Sequence, residues 1–139
     1  MKVVLDTNVW LSGVFWQGEA YKLINTLQKN KIEIVVAKEI LLEIIKVLNR
    51  EARFQRFMQN RMVSVEELLK TIVYIGRLIT PKIKLDIIKE DPPDNRILEV
   101  GVSAKADYII SYDNHLLKLK EYSGVRIVKP KEFLKVLTD

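Results

Sequence analysis

The 139 residues, 48% hydrophobic and 29% charged, suit one globular domain spanning 1–139 and exclude a disordered chain. With no cysteine, disulfides and thiolate metal sites are excluded; with no secretion-type leader and no apolar run long enough to span a bilayer, a soluble, cytoplasmic protein is expected. The net charge of +5 and pI near 9.4 favour a polyanionic partner without establishing one, since solubility charge gives the same balance.

Strand-like and helix-like patterns alternate along the chain. Lys2 to Leu5 predicts a first strand that is apolar throughout and ends on Asp6. Glu19 to Lys29 carries Ala20, Leu23, Ile24 and Leu27 at the spacing of one helix face. A short β-branched strand follows at Ile32 to Val36, then a helix from Lys38 to Asn49 with Ile40, Leu41, Ile44, Ile45 and Leu48 on its apolar side. Glu51 to Asn60 predicts a short basic helix. Ser64 and Glu67 form a capping box for another, expected to run to about Ile79 and to stop before Pro81. The alternation of lysines and apolar residues in Ile83 to Ile88 predicts a half-exposed edge strand. Asp91-Pro92-Pro93-Asp94 predicts a rigid loop, Asn95 to Lys105 a helix, Tyr108 to Ser111 and Val125 to Val128 two further strands, and the chain after Pro130 a last helix. Alternation of this kind implies an α/β fold: a mostly parallel sheet covered by helices and joined by right-handed crossovers.

Four carboxylates fall where such a fold could gather them. Asp6 ends the first strand, and open α/β sheets place ligands at the carboxyl ends of their strands. Asp113 follows the Tyr108–Ser111 strand; Asp94 precedes a helix; Glu43 sits between Ile40 and Val47 on its helical wheel. Singly, Asp94 and Asp113 are equally well read as helix caps or turn residues, and Glu43 as a solvated helix residue. Together they repel, and a cluster is tenable with a divalent cation between them. Oxygen ligation suits Mg²⁺ or Mn²⁺, and the common use of such a site is phosphoryl hydrolysis. The single histidine, His115, cannot build a zinc site alone.

These residues resemble a known family. Val3-Val4-Leu5-Asp6-Thr7-Asn8-Val9, then Leu42-Glu43 through Val47-Leu48, then Asp91 to Glu99 and Ala106 to Asp113, are similar in order and spacing to PIN-domain ribonucleases, in particular the prokaryotic toxin group similar to VapC. The resemblance implies a three-layer sandwich whose sheet of about five strands has the order 3-2-1-4-5. It implies a catalytic and metal-binding set of Asp6, Glu43, Asp94 and Asp113, with Asn8, Ser111 and His115 in support. It implies Mg²⁺ or Mn²⁺ as cofactor, RNA as substrate, a small antitoxin as partner and a homodimer. One departure stands out: family members often carry a further Asp where this chain has His115, and imidazole is a poorer Mg²⁺ ligand than carboxylate. A core or capping role for His115 is the competing expectation. Asp91 is a further candidate, but the two prolines are expected to turn it away from Asp94.

Arg50, Arg53, Arg56 and Arg61 lie with Phe54 and Phe57 in one segment, a composition suited to single-stranded RNA. The phenylalanines are expected in the core, with the arginines either a solvated face or lining a groove beside the acidic site. Arg96 is expected to reach phosphate, and Trp10, Phe15 and Trp16 to pack or to form a dimer face rather than stack on bases. Two other readings remain open: an RNA- or partner-binding module with little catalysis, and a phosphotransfer domain. The second is disfavoured because Asn8 stands where the aspartyl-phosphatase pattern wants a second Asp.

Overall fold

The computed structural model describes residues 1–138. Its central strand is β1 (Lys2–Leu5), whose Val3, Val4 and Leu5 are fully buried because the strand is covered on both faces. On one side β1 pairs in parallel with β2 (Glu33–Ala37), and β2 with β3 (Arg77–Ile79). On the other it pairs with β4 (Tyr108–Ile110), which pairs with β6 (Val125–Val128); β5 (Glu121–Tyr122) adds an antiparallel edge. The order is β3-β2-β1-β4-β6-β5, so the sheet grows outward in both directions from the β1–β4 junction, the reversal point. The β5–β6 connection is a two-residue turn with positive φ at Ser123 and Gly124, the geometry that suits the twist of a tight hairpin.

Helices α1 (Thr7–Phe15), α2 (Glu19–Lys29), α3 (Lys38–Arg50), α4 (Ala52–Arg61), α5 (Val65–Ile75), α6 (Asp94–Ser103), α7 (Asn114–Leu117) and α8 (Pro130–Thr138) complete the chain. They cover both faces. Adjacent residues of β4 point oppositely: Tyr108 meets Phe133 of α8 at 4.9 Å between ring centroids, whereas Ile109 lies against Gly101 of α6. Helix α2 packs with α8 and α3 with α6, which makes the three layers. The capping box at Ser64 is formed in both directions.

The structure adds α1, α7 and β5, which the sequence did not lead one to expect, and departs from expectation at two further segments. Helix α1 has little amphipathic signal because it is buried nearly all round, and it starts at once because the Asp6 carboxylate caps it by accepting from Thr7 N at 2.7 Å. Helix α5 ends at Gly76, and the next three residues form β3 instead of a last helical turn. The edge strand expected at Ile83 to Ile88 is absent. That segment is a strap along α6, its amides taken by side chains of the helix rather than by a neighbouring strand: Lys82 N donates to Ser103 Oγ (3.2 Å), Leu85 N to Glu99 (2.8 Å), and Ile87 and Ile88 N to Asn95 Oδ1 (2.8 and 2.9 Å). The third strand of the expected order is therefore Arg77–Ile79.

Candidate active site

At the carboxyl ends of β1 and β4 the chain encloses a cavity of about 380 Å³ lined by Asp6, Glu43, Asp94 and Asp113. Each arrives by a local device. Asp6 leaves β1 and caps α1; it is 7% exposed, and its Oδ2 accepts from Ser111 Oγ at 2.6 Å. Ser111, fully buried after β4, accepts in turn from Asp113 N at 2.9 Å, so one hydroxyl ties the two strand ends together. Asp113 caps the short α7 by accepting from His115 N at 2.7 Å. Asp94 opens α6, and Glu43 comes from α3, which packs on α6. Asn8, in the first turn of α1, is exposed at the rim.

Asp91 does not turn away. The Asp91-Pro92-Pro93-Asp94 stretch closes as a turn, with Asp94 N donating to Asp91 O at 3.0 Å, and this brings the two carboxylates to one side. Donor atoms of Asp91, Asp94, Asp113 and His115 lie within 4.8 Å of one another. His115 is neither core nor cap: it is partly exposed, with Nδ1 3.5 Å from Asp113 and 3.7 Å from Asp91.

The electrostatics are those of crowded acids. Burial first, then the charges of Asp113, Asp6 and Asp91, push the Asp94 carboxyl up to about 8. Burial also raises Asp6, against the lowering effect of its bonds from Ser111 and Thr7. Asp94 Oδ2 is buried and has no hydrogen-bond partner among the described residues. A buried acceptor without a donor is costly, and a divalent cation resolves both that cost and the repulsion. The donor set, carboxylate oxygens with one imidazole, fits a hard cation such as Mg²⁺ or Mn²⁺.

Two wall residues escaped the sequence reading. Glu39 lies one turn before Glu43 on α3, and its Oε2 is also buried without a partner among the described residues. Lys46 lines the same wall, one turn before Arg50. The signal was available: 39, 43, 46 and 50 share one face of a helix.

The expected cationic residues divide. Arg50 lines the cavity. Arg96 also lines it, but its Nη2 donates to Glu99 (2.8 Å) and to the Leu85 carbonyl (3.0 Å), which ties it to the strap. Arg53 bonds Glu51 at 2.9 Å and lies over the rings of Phe54 and Trp16. Arg56 is exposed on α4 and does not line the cavity. Phe54 is buried and Phe57 half-buried, as expected of core anchors; Trp10 and Phe15 are buried too, but Trp16 is 41% exposed.

A family model described as the PIN domain matches residues 2–115. The chain belongs to the PIN-domain family. PIN domains are nucleases that use divalent metals, and the carboxylate cavity of this one accords with that chemistry. Among solved structures, this PIN domain is similar to a chain of VapBC2 from Rickettsia felis, solved bound to a DNA fragment from their promoter: TM-score 0.63 and 14% identity, over 91% of this chain and 97% of that one. At that identity the likeness speaks for the fold. No curated protein sequence matches the chain. Among the described residues no helix is long and apolar enough to cross a membrane.

Proposed function

We propose that the protein is a metal-dependent endoribonuclease and the toxin of a toxin–antitoxin pair. The observation that carries the nuclease reading is the buried Asp94 Oδ2, without a hydrogen-bond partner among the described residues, in a cavity that also holds Asp6, Glu43 and Asp113. Asp94 and Asp113 would hold the ion, with Asp6 on the buried side and Asp91 and His115 on the open side. The bound Mg²⁺ or Mn²⁺ would supply an acidified water and charge stabilisation at phosphorus. Glu43, which lines the same cavity, would orient the attacking water and take its proton as the oxygen–phosphorus bond forms, while the bond to the leaving ribose oxygen breaks and that oxygen takes a proton from solvent. Ser111 fixes the Asp6 carboxylate through its 2.6 Å bond. Lys46 and Arg50 line the mouth and attract the phosphate backbone.

The toxin reading rests on the sequence resemblance, and the fold likeness to VapBC2 supports it. A small antitoxin is the partner proposed, with a homodimer built on the exposed Val73, Tyr74 and Leu78.

The test is purified protein with single-stranded RNA and Mn²⁺ or Mg²⁺. Cleavage is expected, with loss in EDTA and a fall of at least about a hundredfold in Asp6→Asn. Cleavage that survives either change overturns the mechanism. Metal-independent RNA binding without cleavage of any RNA would instead establish the binding-module reading.

A further inference from the structure

Beside the acidic cavity a second cleft of about 440 Å³ opens; both are lined by Asn8 and Glu51, so the two adjoin. Its walls carry the partly open aromatic rings of this corner, Trp16 and Tyr112, 41% and 39% exposed. Trp16 is held in place: its ring centroid lies 5.4 Å from that of Phe54 and 6.2 Å from that of Phe57, and the Arg53 guanidinium sits 5.5 Å from it. Arg53 is itself bonded to Glu51 at 2.9 Å. Tyr112 stands in the chain between Ser111, which bonds Asp6, and Asp113, which lines the acidic cavity. Glu19 lines the same cleft, near enough to Tyr112 that its charge adds to the rise in the phenol's pKa caused by burial.

We propose that this cleft is a nucleobase subsite: one unstacked base of a single-stranded RNA lies against Trp16 and Tyr112 while its neighbouring phosphate enters the carboxylate cavity. The proposal rests on the nuclease reading and deepens it. Base–aromatic stacking tolerates any base, because every base has a π-face. Glu19 adds selectivity: a carboxylate accepts from N–H edges, and guanine offers two adjacent donors on its Watson–Crick edge where uracil offers one. An apolar side chain of a partner protein fits worse, since it would face Glu19 and Asn8 without satisfying them.

The test compares a short single-stranded oligoribonucleotide with an abasic oligomer of the same length, using the Asp6→Asn protein so that the RNA stays intact. The oligomer with bases is expected to bind about tenfold more tightly, equivalent to about 1.4 kcal/mol. It should quench the fluorescence of Trp16, while Trp10, fully buried, stays unchanged. Trp16→Ala and Tyr112→Ala should each abolish the tenfold gap without changing the affinity of the abasic oligomer. The second variant guards against a packing defect from removing the first ring. In cleavage mapping of a mixed-sequence RNA, Glu19→Gln should flatten a preference for guanine over uracil. Equal affinity for the two oligomers, or a gap that persists in both alanine variants, overturns the subsite and leaves the cleft to a protein side chain. The two readings fail separately: cleavage by the wild type with equal affinities sinks the subsite alone, and base-dependent quenching without cleavage in any metal sinks the nuclease alone.

Discussion

Asp94 shows what crowding does to a single carboxyl. Its folded value of about 8 lies above its ordinary 3.8, so the unfolded chain gives up this proton first as pH rises. The stabilisation that comes from keeping Asp94 neutral is complete below about pH 4 and is lost as pH climbs through about 8. The metal-free protein should therefore become less stable over that range, and Asp94→Asn should flatten that part of the slope. A divalent cation competes with the proton for the same oxygens. The rise in Tm on adding Mn²⁺ should grow between about pH 5.5 and 8, and a rise independent of pH would mean that Asp94 is ionised throughout. On the opposite wall, Lys46→Ala and Arg50→Ala should weaken RNA binding and each reduce the slope of log affinity against log salt by about 0.7. Asp6 and Asp113 were legible in the sequence because a charge at the end of a buried strand is conspicuous. Asp91 was not, because two prolines restrict the backbone without indicating which way the turn closes.

At the scale of elements, the strap from 80 to 88 is the instructive case. Lys82-Ile83-Lys84-Leu85 has the period of a strand, and a half-buried extended segment has that period whatever bonds its amides. What holds it is Asn95, which accepts from Ile87 and Ile88 N and donates to the carbonyls of Ile88 and Pro92. Asn95→Ala leaves buried backbone groups unsatisfied and is expected to cost about 2–4 kcal/mol in denaturant unfolding, since each such group costs about 1–3. A cost under about 0.5 kcal/mol would mean that water replaces the side chain. The α1–α2 contact is equally tight: a Cβ at Gly13 would collide with Ile24 Cδ1 and approach the Ala20 carbonyl to 3.2 Å. Gly13→Val should destabilise by about 1–3 kcal/mol, measured the same way, through overpacking.

Over the whole molecule, charge and site have opposite signs. The chain carries +5, yet Asp6, Glu39, Glu43, Glu51, Asp91, Asp94 and Asp113 line a cavity that has Lys46, Arg50 and Arg96 as its cations. Net charge favours a polyanion but says nothing of the local field that a phosphate would meet. The α5–β3 edge is the other global feature: Tyr74 is 88% exposed, and Val73 of α5 and Leu78 of β3 are exposed as well. If this face builds the homodimer, Tyr74→Glu should shift the protein to monomer in size-exclusion chromatography with light scattering while leaving its Tm within a few degrees. A dimer unaffected by Tyr74→Glu would place the interface elsewhere.

The sequence by itself determined the alternation of elements, the buried central strand and the strand-end acids, because periodicity and local polarity record what each segment must bury. Family resemblance added the strand order, which the structure bears out with Arg77–Ile79 as its third member. The tertiary structure alone decided that Asp91 joins Asp94, that Arg96 serves the strap, and that Trp16 stays open beside the cavity. Those outcomes depend on which side chain reaches a given backbone group or ring across the fold, and no local pattern in the chain encodes that choice.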